Sequence, residues 1–332
     1  MDVRVLEEEN YGAALHYFTG SKAHNVAIRE RAKELGLKVS EYGVFRAKDE
    51  KRLSGAREED VFKAVVLSFI LPELREDRGE IQAAENGKLP KLIEMADMRG
   101  DLQMHTRATD GKNSIEEMAE KAEKMGYEYI AITDHSKAVR VARGLNEKEL
   151  AKHLKEIEKV KSRFHRLHIL KGVEVDILAD GSLDLKDEIL KECDVVLASV
   201  HSRFNMEEGE MTRRIIKALK NPTVTILAHP TGRLILEREP YKVNLKEVIQ
   251  VAIDQGVVLE INAYPDRLDL KDADARMAKE MGAKLVISTD AHSTLQLELM
   301  KFGVFTARRG WIEAKDVINT LPLEGLLKTL KR

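Results

Sequence analysis

The chain has 332 residues, 43% hydrophobic and 34% charged, enough to bury the cores of one large domain and one smaller one. A net charge of −2 does not write nucleic-acid affinity into the overall balance, so any phosphate-binding surface must be local. The single cysteine, Cys193, excludes an internal disulfide framework, and apolar runs such as 195–200 have strand rather than membrane length, so a cytoplasmic protein is expected.

From residue 1 to about 74 the segments are short and varied. The pattern predicts a helix over 29–37, capped at Gly36, and a second over 58–67. Residues 75–98 form a charged, helix-prone stretch that is not low in complexity, which reads as an ordered linker. From Gly100 onward the pattern becomes regular. Strands are predicted at 101–105, 129–133, 169–175, 194–200, 224–228, 257–261 and 284–288, with helices at 115–125, 147–164, 211–219, 245–255 and 273–281 between them. Gly126, Gly256 and Gly282 stand where helix C-caps are wanted. Seven strands alternating with helices argue for a parallel α/β barrel rather than an open sheet.

The residues at the strand ends carry the chemistry. Strand one leads to Gln103 and His105, with Asp110 close behind, and strand two to Asp134 and His135. Strand three carries Glu174 and Asp176, strand four ends at His201 and Arg203, and strand five at His229. Strand six carries Glu260 and Asn262, and strand seven leads to Asp290 and His292. In a parallel barrel all these ends open on one face, where such barrels keep their active sites. One strand-end histidine alone reads as a packed residue, but five at successive strand ends, with Glu174 and Asp290, read as a metal centre. Imidazole with carboxylate suits Mn, Zn or Fe ions better than Mg or Ca, and so many donors exceed the needs of one ion. Clustered ions suit phosphoester hydrolysis, because they acidify water, clamp phosphate oxygens and offset charge on the leaving group. Arg203, Arg233 and Arg267, each just past a strand end, are candidate phosphate-binding residues, and Asp134, Asp176 and Asn262 are candidates for orienting ligands. His16, His24, His153, His165 and His168 read as ordinary surface or packing residues, and Cys193 as a small core residue.

The stretches Gly100-Asp-Leu-Gln-Met-His-Thr, Ile132-Thr-Asp-His-Ser, Gly172-Val-Glu-Val-Asp-Ile, Ser199-Val-His-Ser-Arg-Phe, Leu227-Ala-His-Pro-Thr-Gly-Arg and Ser288-Thr-Asp-Ala-His resemble, in order, the motifs of the PHP (polymerase and histidinol phosphatase) superfamily over about 99–332. The resemblance implies a distorted (β/α)7 TIM-like barrel holding two or three divalent ions. One ion would be held by His105, Glu174 and Asp290, with Gln103 where a histidine is usual. A second would be held by Glu174, His201 and His229, and a third by Asp110, His135 and His292. Glu174 and Asp290 would be the central catalytic carboxylates.

Upstream, Met1-Asp-Val-Arg-Val, Tyr11-Gly-Ala-Ala-Leu-His-Tyr-Phe-Thr-Gly-Ser, Asn25 and Glu41-Tyr-Gly-Val-Phe resemble the end of the palm and the last, thumb-like α+β subdomain of a family X DNA polymerase. By that likeness Asp2 stands at the third polymerase carboxylate, and Tyr17, Phe18, Gly20 and Asn25 where an incoming nucleotide is contacted. Without the other two carboxylates this chain is not expected to polymerise. The implied organisation is a truncated thumb-like part over 1–74, a linker over 75–98 and the PHP domain over 99–332. The expected activity is 3′–5′ exonuclease or 3′-phosphoesterase action on DNA 3′ ends. The alternatives are a small-molecule phosphatase of the histidinol-phosphatase type, acting on a small phosphomonoester, and a non-catalytic DNA-binding or structural remnant.

Overall fold

The computed structural model describes residues 3–331. The chain forms two compact units, Met1–Lys91 and Leu92–Arg332. Among the described residues, no helix is long and apolar enough to cross a membrane.

The first unit packs helices α1 (Tyr11–Thr19), α2 (Lys22–Glu34) and α3 (Glu58–Ala64) with an antiparallel sheet in the order β1 (Leu37–Ser40), β2 (Gly43–Arg46), β3 (Arg52–Ser54), and adds a short α4 (Glu80–Glu85). The helix predicted at 29–37 is the second half of α2. That helix starts earlier because the Ser21 side chain caps it, accepting from His24 N at 3.3 Å. It ends at Glu34 because Gly36, with φ of 69°, turns the chain straight into β1. Helix α3 likewise stops short of the predicted end, and Val66 follows it with φ of 57°. Arg75 is fully buried in this unit, donating to Ile70 O at 2.9 Å and Glu58 Oε1 at 2.6 Å. Glu80 is fully buried as well, 2.7 Å from His24 Nδ1. Arg75 and Glu80 thus serve as interior groups, each paired, as burial demands.

The second unit is a seven-stranded, wholly parallel sheet. Its strands, neighbours in chain order, are β4 (Gly100–Asp101), β5 (Tyr129–Ile132), β6 (His168–Asp176), β7 (Val195–Ser199), β8 (Ile226–Leu227), β9 (Val258–Asn262) and β10 (Leu285–Ser288). Helices α5 (Ile115–Lys124), α6 (Glu147–Lys161), α7 (Asp187–Leu190), α8 (Glu208–Leu219), α9 (Leu245–Gln255) and α10 (Asp272–Met281) make the crossovers, and α11 (Met300–Arg309) and α12 (Leu323–Leu330) follow β10. Alternation along the strands sorts side chains into two cores. Tyr129, Ala131, Leu170, Val195, Leu197, Ile226, Val258 and Val286 gather inside the barrel with Leu326 and Leu330 of α12. Ile130, Ile132, Ile169, Val173, Val196, Leu259, Ile261 and Ile287 pack outward with the helices.

The ring nearly closes. Between the β4 and β10 edges, Met104 pairs with Ala291 as a parallel bridge, and His105 N donates to Ala291 O at 2.8 Å. Lower down, the buried Asn319 side chain replaces a missing ladder. Its Nδ2 donates to Gly100 O at 2.8 Å and to Ile287 O at 2.7 Å, and its Oδ1 accepts from Ile287 N at 3.1 Å. One amide group satisfies backbone atoms of both edges, which an open sheet would leave to water. Asn319→Leu, which strands those three groups, is expected to destabilise the barrel by roughly 2–4 kcal/mol. Urea unfolding followed by the fluorescence of Trp311, the sole tryptophan, measures it; an unchanged midpoint would remove Asn319 from the closure.

Candidate metal centre

Because inward-facing positions alternate on β6, Glu174 projects into the barrel mouth between the outward Val173 and Val175. Four imidazoles surround its carboxylate: His229 Nε2 at 2.9 Å, His135 Nδ1 at 3.1 Å, His105 Nε2 at 3.4 Å and His201 Nε2 at 3.4 Å. His105 Nε2 also lies 3.0 Å from Asp290 Oδ1. Asp110, at the rim, faces His292 Nε2 at 3.5 Å and His135 Nε2 at 3.6 Å. Gly111 allows that loop to fold back, since a Cβ there would meet His105 O at 2.4 Å. Eight of the nine residues expected as ligands therefore converge. The ninth, Gln103, is fully buried beside them and donates its amide nitrogen to the Glu260 carboxylate.

Donor atoms in three groups lie within 4.8 Å of one another: His105, Asp110, His135 and His292; His135, Glu174 and His201; and His105, Glu174 and Asp290. The arrangement fits divalent ions on two grounds. Donors about 3.0–3.4 Å apart span the edges of octahedral or tetrahedral shells whose bonds are near 2.1 Å. In addition, the buried Nδ1 of His135, 3.1 Å from Glu174 Oε2, makes no hydrogen bond, and a cation beside Glu174 would make that nitrogen a ligand.

Electrostatics sort the donors. Burial alone pushes the Glu174 carboxyl up, but His135 and His201 outweigh it and hold Glu174 well below the usual carboxylate range. Burial and the neighbouring His105 pull His135 down to about 4. His201 and His292 go the other way. Burial lowers each, yet Glu174 and Asp176 raise His201 to about 9, and Asp110 and Asp290 do the same for His292. Two of the donors have backbone angles that favour glycine, His229 at φ 30° and Asp290 at φ 54°. Such conformations persist where surrounding structure holds them.

A layer of hydrogen bonds holds the donors in place. Asp176 Oδ1 accepts from His201 N at 3.1 Å and lies 3.2 Å from His201 Nδ1. Asn262 Nδ2 donates to Asp290 Oδ2 at 3.2 Å. Asp134 accepts from Thr106 N at 2.8 Å, Thr106 Oγ1 at 2.7 Å and Thr109 Oγ1 at 2.5 Å, which fixes the loop leading to Asp110. His153, read from sequence as a packing residue, lies on α6 with Nε2 2.8 Å from Asp134 Oδ2. Its signal was a histidine on the helix's apolar face, beside Leu150, Leu154 and Ile157. Three further supports went unassigned: Glu260, Arg143, which donates to Thr109 O, and Asp269, which accepts from Thr231 N and Oγ1 beyond His229. Glu260 was visible as the inward neighbour of Asn262 two residues on, whereas Arg143 and Asp269 sit on irregular loops that periodicity does not reach.

Of the arginines, Arg267 has Nε 3.5 Å from Asp290 Oδ2, and Arg203 is exposed with φ of 58°. Arg233 spends Nε on Arg267 O at 2.7 Å and Nη2 on Leu268 O. In the first unit, Tyr17 and Phe18 meet edge to face at 5.2 Å, Asn25 Nδ2 donates to Tyr17 O at 2.7 Å, and Gly20 ends α1 with φ of 72°. Asp2 lies outside the described residues.

Residues 101–264 match the model of the PHP domain, and residues 14–76 that of the DNA polymerase beta thumb. Over 332 residues, all of this chain and 58% of the relative, the sequence is 44% identical to "DNA polymerase/3′-5′ exonuclease PolX" of Bacillus subtilis, so the chain spans under two thirds of that protein's length. It is 31% identical over 222 residues to a probable phosphatase of Thermoanaerobacter sp. strain X514, covering 63% of this chain and 84% of that one. A solved histidinol phosphate phosphatase from Lactococcus lactis subsp. lactis aligns with a TM-score of 0.47 at 18% identity, over 65% of this chain and 95% of that one.

Metal binding is expected to expel protons. His201 and His292, raised to about 9, carry protons at pH 7.5 without metal, while ligation needs neutral imidazole. Loading at pH 7.5 should therefore release about two protons per chain, falling towards none at pH 10. Calorimetry in two buffers of different ionisation enthalpy reads this directly; no buffer dependence at pH 7.5 would contradict it.

Proposed function

This chain belongs to the PHP domain family and is a metal-dependent phosphoesterase, and we propose that it removes nucleotides or a phosphate from DNA 3′ ends. The observation that carries the reading is the convergence of five imidazoles, Glu174, Asp290 and Asp110 at one barrel mouth. The choice of DNA is supported by the thumb match over 14–76 and by the likeness, along the whole chain, to a protein named as a 3′–5′ exonuclease. Relatives named as probable phosphatases support the runner-up, a small phosphomonoester as substrate.

When bound, two or three divalent ions would supply an acidified water and positive charge against the phosphate oxygens. His105, Glu174, Asp290 and Gln103 would hold one, Glu174, His201 and His229 a second, and Asp110, His135 and His292 a third. Asp176, Asn262 and Asp134 orient these ligands through the hydrogen bonds described above, acting from behind the donors. Arg267, beside Asp290, and the exposed Arg203 would pair with phosphate, while Arg233 holds the turn that carries Arg267. In hydrolysis, water oxygen bonds to phosphorus as the P–O bond to the 3′ oxygen breaks, and that oxygen leaves with a proton. In this reading residues 99–332 carry the catalysis, residues 1–74 are the thumb-like part with Tyr17, Phe18, Gly20 and Asn25 as polymerase vestiges, and 75–98 connect the two.

A time course on a 5′-labelled single-stranded oligonucleotide in Mn²⁺ tests this. A ladder of shortened products is expected, abolished by EDTA and reduced roughly 10²–10³-fold or more in Asp290→Ala. An intact oligonucleotide alongside hydrolysed histidinol phosphate would favour the small phosphomonoester, and turnover of neither would leave a non-catalytic DNA-binding role.

A further inference from the structure

We propose that Gln103 is an oxygen ligand pinned in orientation by Glu260, and that it makes the fully buried position of the centre its hard-ion position, of the Mn²⁺ class. The inference rests on reading the cluster as a metal centre.

Gln103 has no solvent-exposed surface, so both ends of its amide must find partners within the protein. One orientation provides them. The amide nitrogen donates to both Glu260 oxygens, to Oε2 at 3.1 Å, and the amide oxygen turns away from the carboxylate towards hydrogen-bond donors. The reverse orientation sets oxygen against oxygen and holds only with a proton on Glu260, whereas the first needs none. Glu260 is itself held on β9, where Oε2 accepts from His229 N at 2.8 Å and Asn262 Nδ2 at 3.3 Å. Asn262 reaches on to Asp290 Oδ2, so the same network touches Gln103, Glu260 and a carboxylate of the buried group. Glu260 thereby does for an amide what a carboxylate behind a ligating histidine does for an imidazole: it takes the N–H and commits the other end.

The consequence lies in donor chemistry. His105, Glu174 and Asp290 form the one donor group whose members are all buried. With Gln103 added, its protein shell is three oxygens and one nitrogen. The other two groups draw three nitrogens and one oxygen from His105, Asp110, His135 and His292, and two nitrogens and one oxygen from His135, Glu174 and His201. Zn²⁺ binds more tightly than Mn²⁺ at nearly any nitrogen–oxygen site, but a shell rich in hard oxygens narrows the gap and imidazole widens it. The buried position is therefore the one Mn²⁺ holds best against Zn²⁺.

The test is a displacement titration on the full chain, stripped with chelator and reloaded with Mn²⁺, with Zn²⁺ added while EPR counts released Mn²⁺ and elemental analysis counts both metals. In the wild type one class of Mn²⁺ should resist displacement. In Gln103→His that class should leave at a Zn:Mn ratio at least about tenfold lower, and Glu260→Ala, which frees the amide, should weaken Mn²⁺ retention by about 10–100-fold. Gln103→Glu keeps an oxygen at the same reach and should retain the resistant class, which separates ligation from a folding defect. Identical displacement curves for the wild type and Gln103→His would overturn the proposal. If the wild type binds neither metal, the metal centre itself falls, a result distinguishable from the first.

Discussion

Everything at the mouth of this barrel is arranged around one buried carboxylate. Glu174 is 1% exposed, lies on the longest strand and has four imidazoles within 3.4 Å. An unpaired charge at such depth would be prohibitively costly. The histidines lower that cost, and cations would lower it further while spreading the four nitrogens about themselves. The left-handed backbone of His229 and Asp290 fits this picture, because local conformational strain persists only where something at the site holds it.

The scaffold meets that demand by holding each donor from behind. Asp176 fixes His201, Asn262 fixes Asp290, Asp134 fixes the approach to Asp110, Asp269 fixes the chain beyond His229, and Glu260 takes both Gln103 and His229 N. These partners are themselves buried acidic or amide groups. The cost of burying them is offset by their hydrogen bonds, and the benefit is a set of ligands whose positions do not depend on the flexibility of surface loops. Arg214 of α8 extends the same logic to the loops after β6 and β7, donating to Ile177 O at 3.1 Å and Ser202 O at 2.8 Å.

The first unit is built on different principles. It is small, with a three-stranded sheet and short helices, and it buries an arginine and a His–Glu pair in place of a larger apolar core. Its aromatic pair, Tyr17 and Phe18, leaves Phe18 half exposed beneath the Arg4 guanidinium at 4.6 Å.

What the sequence by itself determined is whatever repeats along the chain. Seven apolar runs at regular spacing announced the parallel strands, the glycine caps announced the helix ends, and six of the runs carried, in or just after them, the histidines and acids that converge at the mouth. These signals are local: alternation and capping act within a few residues, so they survive in one dimension. The tertiary structure alone decided the rest. Closure of the ring depends on Asn319 reaching two edges that are 187 residues apart, Gly100 and Ile287, and no periodicity encodes that reach. Gln103 and Glu260 pair across 157 residues, and His153 comes to Asp134 only because α6 packs onto β6, the neighbour of the strand that leads to Asp134. In the first unit, Arg75 and Glu80 read as part of a linker because their partners, Glu58, Ile70 and His24, stand elsewhere in the chain. A hydrogen bond depends on distance in space, and only the fold turns separation along the chain into that distance.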